Sequence, residues 1–249
     1  MENSMNRVFV RAMGGLIATS AIAFGSIGVA QADLTAAPMT VSVWTGNGVT
    51  DQAALPGPTT TPFVTFSYTG PINFVNLNGQ GGSNTFSDFF GSYASNITLT
   101  SYNGSAVSTA NSNYSTDLNT FLGTTMSTPW NTPGYVNTFM SFTGTYSLSA
   151  GDTISITHDD GASLYLNSTS TPYIYAPGPV SSTTTTGQAL TSSNSSGSFD
   201  LVYVEANGAP AILQVTATPE FHWDSAGAAL GLLFGGIVVL RGRRQALGS

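Results

Sequence analysis

The residues best equipped for chemistry stand together at His158-Asp159-Asp160-Gly161. Two adjacent carboxylates followed by glycine have an ordinary use as a turn, in which Asp side chains accept local N–H groups and Gly161 supplies a positive φ. Catalysis is poorly provided for. A nucleophile needs a base and oxyanion donors, yet residues 33–217 hold a single histidine, His158, with no cysteine, lysine or arginine and no Gly-x-Ser-x-Gly elbow. Neighbouring residues on a strand point apart, so Asp159 cannot orient His158 as a triad would require, and His158 reads as a turn or rim residue. Zinc lacks its preferred ligands. A glycosidase needs only two carboxylates at the right separation, so the acids alone leave that reaction open. Asp152, after Gly151, reads as a turn residue. Tyr173 and Tyr175, between Pro172 and Pro177, could form a stacking platform for a sugar ring or pack within their own loop.

Charge narrows the partners. All five basic residues are arginines at the two ends (Arg7, Arg11, Arg241, Arg243, Arg244), while nine acids lie between Asp33 and Glu205. A domain with no lysine or arginine cannot release counterions from a phosphate backbone, which excludes nucleic acid, and it has nothing to offer an anionic lipid surface. Neutral sugars or cations fit better. With no cysteine there are no disulfides, and stability must come from burial in one domain of ordinary size.

The elements that must position these residues are strands. Runs rich in β-branched and aromatic residues recur at Val41–Trp44, Phe63–Tyr68, Ile97–Thr100, Phe139–Phe142, Thr145–Leu148, Thr153–Thr157, Ser163–Leu166, Phe199–Val204 and Ala211–Thr216, each bounded by Gly, Pro, Asn or Ser. Thr153–Thr157 alternates cleanly, with Ile154 and Ile156 inward. Phe199, Leu201 and Tyr203 share one side of their strand and Val202 and Val204 the other, which predicts burial on both faces. Asn207-Gly208-Ala209-Pro210 reads as the turn into the last strand. The Pro/Thr/Ser/Gly-rich stretches Pro56–Pro62 and Pro172–Ser198 read as loops crossing the end of a sandwich. Sequons at Asn96, Asn103, Asn113, Asn167 and Asn194 are chance matches in a Ser/Thr-rich chain. The expected fold class is all-β, an antiparallel β-sandwich over residues 33–217.

Three stretches carry a family resemblance: Phe142-Thr143-Gly144-Thr145-Tyr146, then His158 to Asn167 with its Asp-Asp-Gly and Leu-Tyr, then Phe199 to Val215. Together they resemble a PA14-type β-sandwich. In carbohydrate-binding members of that family the two adjacent Asp of this loop hold calcium, which in turn holds sugar hydroxyls, and the Asp-Asp peptide is cis. The resemblance therefore implies Ca²⁺ at Asp159 and Asp160, with Asn207 as a further ligand from the closing hairpin and an extracellular polysaccharide as partner. Calcium takes six to eight oxygens, so neighbouring carboxylates must converge, whereas the plain turn reading requires no metal.

The two ends imply export. Arg7 and Arg11 precede an apolar run from Ala12 to Val29 and the small-x-small site Ala30-Gln31-Ala32, the layout of a signal peptide over residues 1–32 that leaves Asp33 as the mature start. At the other end Pro219-Glu220-Phe221, the apolar run Ala226–Leu240 and Arg241, Arg243 and Arg244 resemble a PEP-CTERM sorting tail (218–249), with Phe221 where a second proline usually stands. About 15 to 18 apolar residues are at the short limit for a membrane-crossing helix, and the arginines would stop it on the cytoplasmic side. The resemblance implies an exosortase-type processing enzyme, a transient anchor in the cytoplasmic membrane, and release to the cell surface or matrix. The functional expectation is a non-catalytic carbohydrate-binding protein of a cell-surface or biofilm setting. A structural matrix component without a specific ligand is the alternative, and a secreted glycosidase the remaining enzymatic reading.

Overall fold

The computed structural model of the chain describes residue 34 and residues 38–46, 49–77, 84–102, 105–106, 129–131, 137–167, 170–206 and 209–219. In chain order the elements are β1 (Met39–Gly46), β2 (Val64–Tyr68), β3 (Asn73–Asn76), β4 (Asn84–Thr85), helix α1 (Phe86–Phe90), a 3-10 segment (Gly91–Asn96), β5 (Ile97–Tyr102), β6 (Ser105–Ala106), β7 (Pro129–Asn131), β8 (Asn137–Ser147), β9 (Thr153–His158), β10 (Gly161–Leu166), β11 (Ile174–Ala176), β12 (Thr183–Thr186), β13 (Ser196–Glu205) and β14 (Ala211–Thr218). Among the described residues β11-β10-β13-β8-β1-β2-β5-β6 form one sheet, β12-β9-β14-β3 a second, and β4-β7 a small ribbon. The pairings of the two large sheets are all antiparallel.

Alternation makes these two sheets a sandwich. Ile154 and Ile156 of β9 and Leu213 and Val215 of β14 meet Phe142, Phe199, Leu201 and Tyr203 of the larger sheet in one buried cluster. An aromatic knot closes it on one side: Phe74 lies 4.8 Å from Phe90, 5.3 Å from Phe89 and 5.8 Å from Phe142 between ring centroids. Such pairs contribute about 0.5–1.5 kcal/mol each beyond their burial. Phe89 and Phe90 are delivered by the five-residue α1, which the sequence pattern did not announce.

The expected strands are present, with three corrections. Phe139–Phe142 and Thr145–Leu148 are one strand, β8, because Gly144 leaves room for the Phe199 ring, 2.9 Å from where a Cβ would stand, and β13 and β1 pair along both sides. Pro172–Ser198 is not all loop: β11 and β12 are edge strands of the two sheets, and β13 already begins at Ser196. The stretch around Pro56–Pro62 does not cross the sandwich end. Residues 49–63 form a strap over the outer face of the larger sheet, where Ala53 joins Phe139, Tyr165, Val202 and Val204 in a second buried cluster. The Leu55 N–H donates to the Tyr165 hydroxyl (3.1 Å), the Trp44 indole N–H to the Thr60 carbonyl (2.7 Å), and the Ala53 N–H to the Pro177 carbonyl (2.8 Å). β13 is thus buried on both faces, as its sequence required.

Among the described residues no helix is long and apolar enough to cross a membrane. The signal segment with Ala30 and Ala32, the turn residues Asn207 and Gly208, and the tail from Glu220 through Arg241, Arg243 and Arg244 lie outside the described residues. Pro219 directly follows β14.

Candidate functional site

β9 ends at His158 in the four-stranded sheet, and β10 begins at Gly161 in the eight-stranded one. Asp159 and Asp160 are therefore the whole connection between layers that pack about 10 Å apart, and the backbone must leave the extended conformation to make it. Asp160 does so at φ 65°, a left-handed conformation that Asp tolerates because its short side chain bonds locally. Its Oδ2 accepts the Ala206 N–H at 2.7 Å, tying this corner to the neighbouring inter-sheet connection after β13. The Asp159 N–H donates to the Ile212 carbonyl (3.0 Å) and the Asp160 N–H to the Val180 carbonyl (2.8 Å).

Three expectations about this loop change. The positive φ belongs to Asp160 and not to Gly161, whose lack of a side chain has another cause: a Cβ there would collide with the Pro177 carbonyl. The Asp159–Asp160 peptide is trans; among the described residues the cis bonds are Leu55–Pro56 and Ala209–Pro210. His158 is not a rim residue but is fully buried. Its Nδ1–H donates to the Asp160 carbonyl at 2.7 Å, which leaves Nε2 to accept the Thr185 hydroxyl at 3.1 Å. Burial holds its pKa below the usual imidazole value, so the ring is neutral with both nitrogens engaged. Asp152, by contrast, is the expected turn residue, accepting the Ser149 N–H at 2.8 Å.

The electrostatics of the corner are one-sided. Burial, together with the charge of Asp160, pushes the Asp159 carboxyl up to about 6 against a backbone N–H from Ser182. Behind the pair, Tyr203 donates to Glu205 Oε2 at 3.0 Å, and its phenol is pushed well above its usual range by burial and by the charges of Glu205, Asp160 and Asp159. Three carboxylates thus act on one neutral phenol, and the sequence offers no lysine or arginine between residues 33 and 240 to neutralise them. Glu205 was missed by the sequence reading, although its i, i+2 spacing from Tyr203, Leu201 and Phe199 places it on the inner face.

A hard cation would find two adjacent carboxylates here and no larger group of His, Cys, Asp or Glu suited to a metal among the described residues. Asp159 and Asp160 would supply carboxylate oxygens to such an ion, short of the six to eight oxygens that calcium takes. Tyr173 and Tyr175 do not form a joint platform. Tyr173 packs against the core, its ring over Gly187 and its hydroxyl donating to the Gln188 carbonyl. Tyr175, opposite Ser163 on the edge strand, is 59% exposed.

No protein-family profile matches the chain, and no curated protein does. Among solved structures the chain is similar to the PA14 domain of the MpAFP antifreeze protein (TM-score 0.47, 18% identity, 72% of this chain and 80% of that one). It is also similar to a PA14 sugar-binding domain from an RTX adhesin (TM-score 0.41, 16% identity, 72% and 87%). A GH31 alpha-xylosidase from Xanthomonas citri is similar at a TM-score of 0.36 and 8% identity, over 77% of this chain and 16% of that enzyme.

Proposed function

We propose that the chain is an exported, non-catalytic carbohydrate-recognition domain of the PA14 type, in which Asp159, Asp160 and Asn207 hold Ca²⁺ at the sheet-to-sheet corner. The observation that carries this reading is the Asp159–Asp160 pair: neighbouring carboxylates, one of them with its pKa raised to about 6, in a domain without a single fixed positive charge. A bound calcium ion supplies positive charge and open coordination positions for sugar hydroxyls. The chain's part is to hold the two carboxylates at a corner fixed by the bonds to Ala206, Ile212 and Val180. His158 braces the corner from within. Its buried, doubly engaged ring suits that role better than proton transfer.

In this reading residues 1–32 direct export, with cleavage after Ala32, and the tail with Pro219, Glu220, Arg241, Arg243 and Arg244 is anchored in the cytoplasmic membrane until an exosortase-type enzyme processes it. The mature domain then works at the cell surface or in an extracellular polysaccharide matrix. The test is a glycan array probed with the mature domain in calcium and in chelator, repeated with Asp159→Asn/Asp160→Asn. Calcium-dependent binding that the double variant loses supports the proposal. Absence of any calcium-dependent component of binding, or concentration-dependent self-association with no glycan bound, rejects it, the latter in favour of a structural matrix protein.

A further inference from the structure

A second carboxylate sits where the fold has no need of one. Asp200 lies midway along β13, a strand otherwise apolar from Phe199 to Val204, and Asp is disfavoured in such positions. It points to the outer face of the eight-stranded sheet, away from the corner, and lines a groove of about 590 Å³ beside the strap. The Ser141 hydroxyl donates to its Oδ1 at 2.8 Å. No protein donor among the described residues reaches its Oδ2. Burial raises the pKa of this carboxyl above the usual value, so the protein holds it in place against a desolvation penalty without any ion-pair partner.

The strand registers set Asp200 in a transverse row: Tyr165, Asp200, Thr143, Thr40, Ser67 and Thr98 on six successive strands. At about 4.8 Å per strand the row runs about 24 Å, long enough for an oligosaccharide chain. Pro38 and Leu55 wall the groove with apolar surface, and Leu55 is 39% exposed. One fixed carboxylate oxygen, flanking hydroxyls and apolar walls are what a sugar ring requires, with the carboxylate accepting charge-assisted bonds from its hydroxyls. The nine acids and absent lysine and arginine of the domain would repel an acidic glycan.

We infer that this groove is a second saccharide site, for a neutral oligosaccharide, centred on Asp200 and independent of the calcium corner. The experiment is calorimetric titration, in chelator, with the tightest-bound member of a neutral-glycan array. The proteins are wild type, Asp200→Asn, Thr143→Phe, which fills the groove from an exposed position, and Asp159→Asn/Asp160→Asn. The first two variants should weaken binding by about tenfold or more, the loss of a charge-assisted bond or of the space itself, while the double variant binds as wild type. Wild-type affinity in both groove variants, binding confined to amine-bearing glycans, or no neutral glycan bound in chelator would overturn the inference. Loss of calcium-dependent binding alone would bear on the corner and not on the groove.

Discussion

Replacing Asp159 with Asn should make the metal-free protein more stable at neutral pH, not less. The carboxyl titrates near 3.8 when free and at about 6 in the fold. The folded state therefore holds this proton more tightly than the unfolded state, and stability falls as pH rises from about 4 through 6. That interval corresponds to about 3 kcal/mol at 1.36 kcal/mol per pH unit, trimmed to about 2 kcal/mol because the carboxylate edge still meets solvent. For a domain of this size that is a rise in Tm of about 4–8 °C. The assay is thermal unfolding of wild type and Asp159→Asn in chelator from pH 3.5 to 8. The two curves should coincide at the acid end and diverge through pH 6. His158 acts with the opposite sign: its folded pKa is lowered from 6.5, so its contribution is lost as pH falls, equally in both proteins, and cancels from the difference. A variant less stable than wild type at pH 7.5, or a difference of the same size at pH 3.5, would refute the reasoning.

Other outcomes follow from the same geometry. Calcium at 100 times its dissociation constant should add about 2.7 kcal/mol to the wild type at physiological salt, with a much smaller effect of magnesium and none in Asp159→Asn/Asp160→Asn; equal shifts with both metals would reduce the effect to diffuse charge. Gly161→Ala should destabilise by about 2–4 kcal/mol in urea unfolding, because the new methyl meets the Pro177 carbonyl and the Ala53 Cβ. Gly178→Ala, with nothing within 4 Å of its Cβ, should be neutral or slightly stabilising, so comparable losses in the two variants would contradict the packing described. Intact-mass measurement of exported protein should give an N-terminus at Asp33, and a mass retaining residues 1–32 would disprove the signal reading.

Much of the sandwich was legible because its strands bury a side chain at every second residue. Thr153–Thr157 and Phe199–Val204 declare themselves by alternation, and the latter even announces burial on both faces. Charge was legible too: the absence of lysine and arginine between residues 33 and 240 needs no fold to exclude a phosphate backbone as partner. The edge strands β11 and β12 were not, since Ile174–Ala176 and Thr183–Thr186 leave much of their length in solvent and carry no apolar period to read. The extent of β8 was decided by β13 and β1 on its flanks, and the place of the strap by Phe139, Val202 and Val204, whose exposed face had to be covered. At the corner, the pairing of acids was visible, but their setting was not. Asp160 turns left-handed because two residues must span two layers, Gly161 is small because Pro177 arrives from elsewhere in the chain, and His158 is buried because Thr185 closes over it. Asp200 carried no signal in the sequence, and only the registers line it up with hydroxyl-bearing residues on five other strands. Local pattern records which way a side chain faces; only the packing of distant segments settles what it then meets.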